Sequence, residues 1–217
     1  MNISLLASLP ISKSIAYVLG LMFPLVKIKS IPLLDNKSYL IGPVNHNKNM
    51  ITDDQLAAHF KSVRHLLITD DNTKDILIKD NQVNKIQSKR GFSILIETGE
   101  KTRAECDAIL FSLVEKIQNS SEEIKKEFVC GCFDGRSSWD TTSGYLSIDV
   151  DRNSRKHELI KNIIESLNIN VNVNAREPDY NKNDQIRIKP DSLKQFMKEI
   201  GLYSVCRTEL VKKGLGI

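Results

Sequence analysis

Two short segments near the C-terminal end carry side chains whose types and spacing suit the reading of nucleic acid. In residues 169–176, INVNVNAR, the apolar Ile169, Val171 and Val173 alternate with Asn170, Asn172, Asn174 and Arg176. In residues 185–189, QIRIK, Ile186 and Ile188 alternate with Gln185, Arg187 and Lys189. A period of two gives each strand one apolar and one polar face. Asn and Gln pair with adenine edges, and Arg and Lys with guanine or the backbone. A sheet lying in the major groove is one way to present them. A solvent-facing antiparallel sheet also takes polar residues, but asparagine is a poor strand former, so a ladder of three asks for a reason.

A second feature is EFVCGCFDGRSSWD, residues 127–140. Gly131 interrupts an apolar, helix-like run, where glycine costs about 1 kcal/mol against alanine and so answers a packing or functional need. The run then ends on an acid, a glycine and an arginine.

The elements around these segments occur twice. In the first half come a buried helix in AYVLGLMF, a strand in residues 38–44, a helix over 51–63 with Thr52 or Asp53 as N-cap, and strand-length runs HLLIT, DILIK and FSILIE. An amphipathic helix over 100–117 closes it. A polar joint, residues 118–127, follows. The second half runs through a helix into GYLSIDV, a helix over 155–167, the two alternating strands, and a helix opened by Pro190. The order helix-strand-strand-helix-strand-strand-helix thus appears in residues 1–118 and again in 119–217. SYLIGPVNHN in the first half answers GYLSIDVDRN in the second.

A chain of 217 residues holds one sizeable domain or two small ones. A net charge of +4 is compatible with a polyanionic partner without requiring one. Cys130 and Cys132 form C-x-C with no second pair at ligand spacing, which argues against structural zinc. Four scattered cysteines read as buried thiols of a reducing compartment, the cytoplasm or an organelle matrix. The apolar residues 14–26 are too short to span a bilayer and read as a buried helix. The basic residues 87–91, QSKRG, could touch phosphate or form a plain hairpin. The tail VKKGLGI reads as frayed. No phosphate-binding glycine loop, nucleophile elbow or His-Glu-x-x-His helix is present.

FVCGCFDGRSS resembles the signature helix of the LAGLIDADG family of DNA endonucleases, which typically ends Gly-Leu-Phe-Asp-Gly-Asp-Gly-Ser. Gly131, Phe133, Asp134, Gly135 and Ser137 or Ser138 carry the match, and Gly20 stands for Gly131 in the first half. The resemblance covers the second half well and the first loosely. It implies an α+β fold of two pseudo-symmetric αββαββα halves, with antiparallel saddle sheets around a central helix pair at residues 14–25 and 124–134. It also implies a double-stranded DNA partner, no membrane, and a monomer as a sufficient unit. Metal-dependent cleavage with Mg2+ or Mn2+ would follow from paired acids at the helix ends.

The chain departs from the pattern at those ends. Arg136 stands where the second acid of the motif belongs, and Leu25 stands there in the first half. In one reading, Asp134 or Asp140 takes the metal, Asp149 and Asp151 add ligands, and Lys189, Arg152 and His46 assist, His46 as general base or proton shuttle. That chain is a sequence-specific endonuclease. In the other, Arg136 holds a phosphate and the protein binds DNA without cutting it, as a splicing helper or regulator. A metabolic enzyme or interaction domain with a fortuitous motif is a third class.

Overall fold

The computed structural model describes residues 1–31, 34, 37–47, 51–81, 89–140, 142–177 and 183–217. Gln87 and Ser88 of the basic stretch lie outside them. The first half comprises α1 (Ile3–Ser8), α2 (Lys13–Met22) with a 3-10 turn (Phe23–Leu25), β1 (Lys27–Ser30), β2 (Ser38–Asn47), α3 (Asp53–Ile68), β3 (Leu77–Asn81), β4 (Lys89–Glu97) and α4 (Arg103–Gln118). The second comprises α5 (Glu122–Arg136), β5 (Ser137–Asp140), β6 (Tyr145–Val150), α6 (Ser154–Glu165), β7 (Val171–Asn174), β8 (Asp184–Ile188), α7 (Pro190–Glu199) and α8 (Val205–Leu215). Each half forms one antiparallel sheet, in the orders β1-β2-β4-β3 and β5-β6-β8-β7. This is the expected α+β architecture of two similar halves. No helix among the described residues is long and apolar enough to cross a membrane.

The central seam is the pair α2 and α5, and its glycines explain themselves. A Cβ on Gly20 would lie 2.1 Å from the Phe128 carbonyl oxygen, and one on Gly131 would lie 2.2 Å from that of Tyr17. Only glycine lets two helix backbones come this close. Every residue of α2 from Ser14 to Met22 is buried. Val44, Ile94 and Ile96 of the first sheet and Leu146, Ile148 and Ile186 of the second pack into one continuous core around the seam.

Several elements differ from expectation. HLLIT is not a strand: α3 continues to Ile68, started by a capping box at Thr52 and Gln55 and buried along His59, Val63 and Leu67 at helical spacing. The polar joint is short, because α5 begins at Glu122. Strands β1 and β5 are brief and lack a clear apolar alternation. The C-terminal tail is not frayed: residues 211–215 are the last part of α8, which closes on Gly216 in the left-handed conformation.

Candidate nucleic-acid interface

Strand register decides which side chains share a face. In the second sheet, Asn172, Arg187, Ser147 and Ser138 form one row across four strands, and Asn174, Gln185 and Asp149 form the next. Their neighbours along each strand, among them Val171, Ile186, Ile188, Leu146 and Ile148, are buried in the core. The polar row is therefore the outward face. Asn170 precedes β7 on the same side, with its backbone N–H on the Ser192 hydroxyl at 3.0 Å.

Gln185 organises this face. Its Oε1 accepts from Arg187 Nη2 at 3.0 Å and Nε at 3.3 Å, and from Arg176 Nη2 at 3.0 Å. Its Nε2 donates to Asp149 Oδ1 at 3.2 Å. The Arg187 guanidinium sits over the Tyr145 ring, 5.8 Å from its centroid, within cation–π range.

Between the sheets, at the ends of the central helices, opens a cleft of about 480 Å3. Leu25, Lys27, Asn45, Arg136, Ser138 and Asp149 line it, and Cys206, Arg207 and Leu210 of α8 close one side. Arg136, the last residue of α5, is largely buried here, and its Nε and Nη2 have no hydrogen-bond partner among the described residues. Burial pulls its pKa down to about 10 while Asp149 and Asp151 hold it up, so it stays charged at neutral pH.

The four acids read as metal ligands do not gather at this cleft. Asp134 is wholly buried. Its carboxylate accepts the backbone N–H groups of Tyr203 at 2.9 Å and Ser204 at 3.1 Å, and the Tyr17 hydroxyl at 3.2 Å. It thereby anchors the start of α8, a role that a helix N-terminus favours for an anion. Asp140 lies at the other end of β5, opposite Tyr145, where it caps the turn through Thr142 and Ser143. Asp151 reaches the Val26 N–H at 3.4 Å and pairs with the buried Lys156 at 2.6 Å. Only Asp149 lines the cleft. Among the described residues no three His, Cys, Asp or Glu side chains are placed to share a metal ion. The expected Mg2+ or Mn2+ ligands Asp134 and Asp140 therefore do not meet at the cleft, where Asp149 stands with the Arg136 guanidinium.

Of the assisting residues, His46 lines the cleft with Arg136 and Asp149, whereas Lys189 and Arg152 do not. His46 is not in a polar loop. It lies on β2, with its ring on the core side and its Nε2 3.2 Å from His59 Nδ1. Burial, then Arg207 and His59, lower its pKa to about 2, which leaves it neutral and without spare proton affinity for a base. Lys189 caps α7 beyond the far end of β8, exposed and away from Arg136. Arg152 donates to the Glu177 carbonyl at 3.1 Å, at the edge of the second sheet. These three do not form a site with Asp134.

Sequence reasoning missed His59 and Arg207. His59 Nε2 lies 3.7 Å from the Asp134 carboxylate, and Arg207 donates to the carbonyls of Asp134 and Asn45. Burial alone would raise the Asp134 pKa, but His59, Arg207 and the Ser204 N–H outweigh it and lower it. No local pattern around either residue marks it, because the partners lie up to 162 residues away.

No protein-family model matches the chain, and no curated protein does. Solved structures do. A mesophilic variant of the homing endonuclease I-DmoI matches with TM-score 0.53 at 16% identity, over 93% of this chain and 97% of that one. I-DmoI in complex with DNA and Ca matches with TM-score 0.55 at 13% identity, over 98% and 100%. Full-length DUF199/WhiA from Thermatoga maritima matches with TM-score 0.57 at 14% identity, over all of this chain and 66% of that one. The chain has the LAGLIDADG fold. In that fold α2 and α5 are the central helix pair, Arg136 is the last residue of α5, and Leu25 ends the 3-10 turn that follows α2.

Proposed function

We propose that this protein binds double-stranded DNA across its two saddle sheets as a monomer and does not cut it through a paired-acid metal centre. The observation that carries this reading is Arg136. Its largely buried guanidinium borders the central cleft, and two of its nitrogens have no hydrogen-bond partner among the described residues. An unpaired buried cation is costly, and a phosphate oxygen supplies both the charge and the acceptors it lacks. The backbone of a duplex laid across both sheets passes this cleft. The polar rows of the second sheet, Lys27 and Lys29 of the first, and the net charge of +4 support the same partner.

The test is a binding titration on mixed-sequence duplex DNA across a salt series, run with and without Mg2+ or Mn2+. Binding that weakens steeply with salt, on DNA that stays intact in either metal, is the expected result. Metal-dependent cuts that vanish in Asp149→Asn would overturn the non-cleaving assignment and return the chain to the endonucleases. Absence of binding at low salt would overturn the DNA assignment itself.

A further inference from the structure

We infer that the central cleft is also a site for a small phosphate monoester of the nucleoside monophosphate class, held by Arg136 and Ser137, and that this ligand competes there with the DNA backbone. The competition rests on the DNA-binding reading above; the ligand site stands without it.

Where α5 passes into β5, three buried donors go unmet among the described residues: Nε and Nη2 of Arg136 and Oγ of Ser137. The two residues are consecutive and line the same cleft. The charged groups around them are engaged elsewhere. Arg207 gives its guanidinium to the carbonyls of Asp134, Gly135 and Asn45. Asp149 accepts from Gln185, Asp151 from Lys156, and Asp134 from Tyr203 and Ser204. Asp149 and Asp151 thus favour the charged form of Arg136 without bonding its two unmet nitrogens. Buried polar groups are nearly always paired, and a set left open together marks a place for an ion or ligand.

The donors select the chemistry. Nε and Nη2 share one edge of the guanidinium, the edge that grips two oxygens of one anion side on. The Ser137 hydroxyl adds a third donor. A phosphodiester has two free oxygens, whereas a monoester has three and close to a second negative charge. The monoester therefore fills a set that a backbone phosphate fills in part. The cleft, about 480 Å3, lies within the range of small-molecule sites and exceeds what a lone phosphate occupies. Leu25, Leu210 and Trp139 supply apolar wall, and Asn45 supplies a polar group. The Trp139 ring is seated against Gly214 of α8, where a Cβ would lie 2.4 Å from it, so this wall is set before any ligand arrives. A flat, largely apolar body with hydrogen-bonding edges, carried on a phosphate, is the chemistry of a nucleotide.

The test begins without DNA. The four ribonucleoside 5′-monophosphates, their nucleosides, inorganic phosphate and dimethyl phosphate are titrated into the wild type at fixed ionic strength. Calorimetry and the fluorescence of Trp139, the only tryptophan of the chain, report binding. At least one monophosphate should bind about 10- to 100-fold tighter than its nucleoside and than dimethyl phosphate, and Arg136→Leu and Ser137→Ala should each weaken it. Binding by no monophosphate overturns the inference, as does a nucleoside or dimethyl phosphate that binds equally well. Inorganic phosphate that binds as tightly as every nucleotide overturns the nucleotide assignment. In a duplex titration, the monophosphate should raise the apparent Kd for DNA in step with its own occupancy. An unchanged Kd at saturating monophosphate overturns the competition. A wild type that binds the monophosphate and no DNA overturns the DNA reading and leaves the ligand site standing.

Discussion

The two halves share a fold and differ, position by position, on the surface that would do the work. The row Asn172, Arg187, Ser147, Ser138 of the second sheet answers Leu77, Leu95, Ile41, Lys27 of the first. At the helix ends Arg136 answers Leu25, and two residues inside, Asp134 answers Phe23. The inner positions teach most. Phe23 meets Phe111 of α4 edge to face at 5.0 Å, a contact between an apolar position and a continuous helix. Asp134 meets the backbone N–H groups of Tyr203 and Ser204, which lead into α8 after α7 has ended at Glu199. An acid in one half and a phenylalanine in the other are each matched to the helix that covers them.

That contrast can be broken most forcefully at Asp134. Asp134→Ala removes the acceptor for Tyr203, Ser204 and Tyr17, and leaves His59 and Arg207 facing a gap. It should cost about 3–5 kcal/mol in urea denaturation and expose α8 to protease. Phe23→Leu, nearly volume-conserving, should cost under about 1.5 kcal/mol. Equal costs would mean that the two positions are not specialised as described.

The seam should behave symmetrically where the faces do not. Gly20→Ala and Gly131→Ala each press a methyl onto a backbone carbonyl of the opposite helix. Each should destabilise by about 1–3 kcal/mol, by similar amounts. A difference of more than about 1 kcal/mol, read from denaturation midpoints at constant slope, would show that one helix yields more than the other.

Acid should loosen the first half through His46. Its folded pKa is depressed to about 2 from an ordinary 6.5, so between those values the unfolded chain takes up a proton that the folded chain refuses. Stability is then fully present above pH 6.5 and falls as pH drops through that window, by up to about 1.4 kcal/mol per unit. The lowered carboxyl of Asp134 acts in the same sense at lower pH. His46→Asn should flatten the upper part of the profile. A profile unchanged by that substitution would place the proton uptake elsewhere.

The smallest effect sharpens the comparison at the cleft. Arg136→Leu makes the second helix end like the first. It should leave the melting temperature within a few degrees and lower the salt slope of DNA binding by about 0.9. An unchanged slope would mean that Arg136 meets no phosphate.

Much of the fold was legible because it is written in local period. The alternation in residues 169–176 and 185–188 gave β7 and β8 with the right faces, and Gly131 marked the helix crossing. What stayed hidden is non-local. Asp134 reads as a surface acid in a motif, and only residues 203–207, some seventy positions on, show that it is interior. HLLIT fits a strand by length, because a short apolar run looks the same in a helix until its neighbours at spacing four are counted. The tail carries Gly214 and two lysines, which argue for fraying. Packing of Trp139 against Gly214 and the bonds of Arg207 override that. On the second sheet, the outward asparagines and arginines were visible in sequence, but the bonds that tie Gln185 to Arg176, Arg187 and Asp149 were not.

The contact between α2 and α5 also bears on how the chain is made. Residues 13–22 leave the ribosome about a hundred residues ahead of the helix that covers them. Until α5 follows, the glycine face of α2 has no backbone to lie against, and β2 lacks the helix end beside Pro43. The first half therefore waits, partly assembled, for the second. Long-range closure of this kind is slow, and exposed apolar surface during the wait is what chaperones recognise. Once α5 docks, the two halves are locked into one cooperative unit, and neither is built to stand alone.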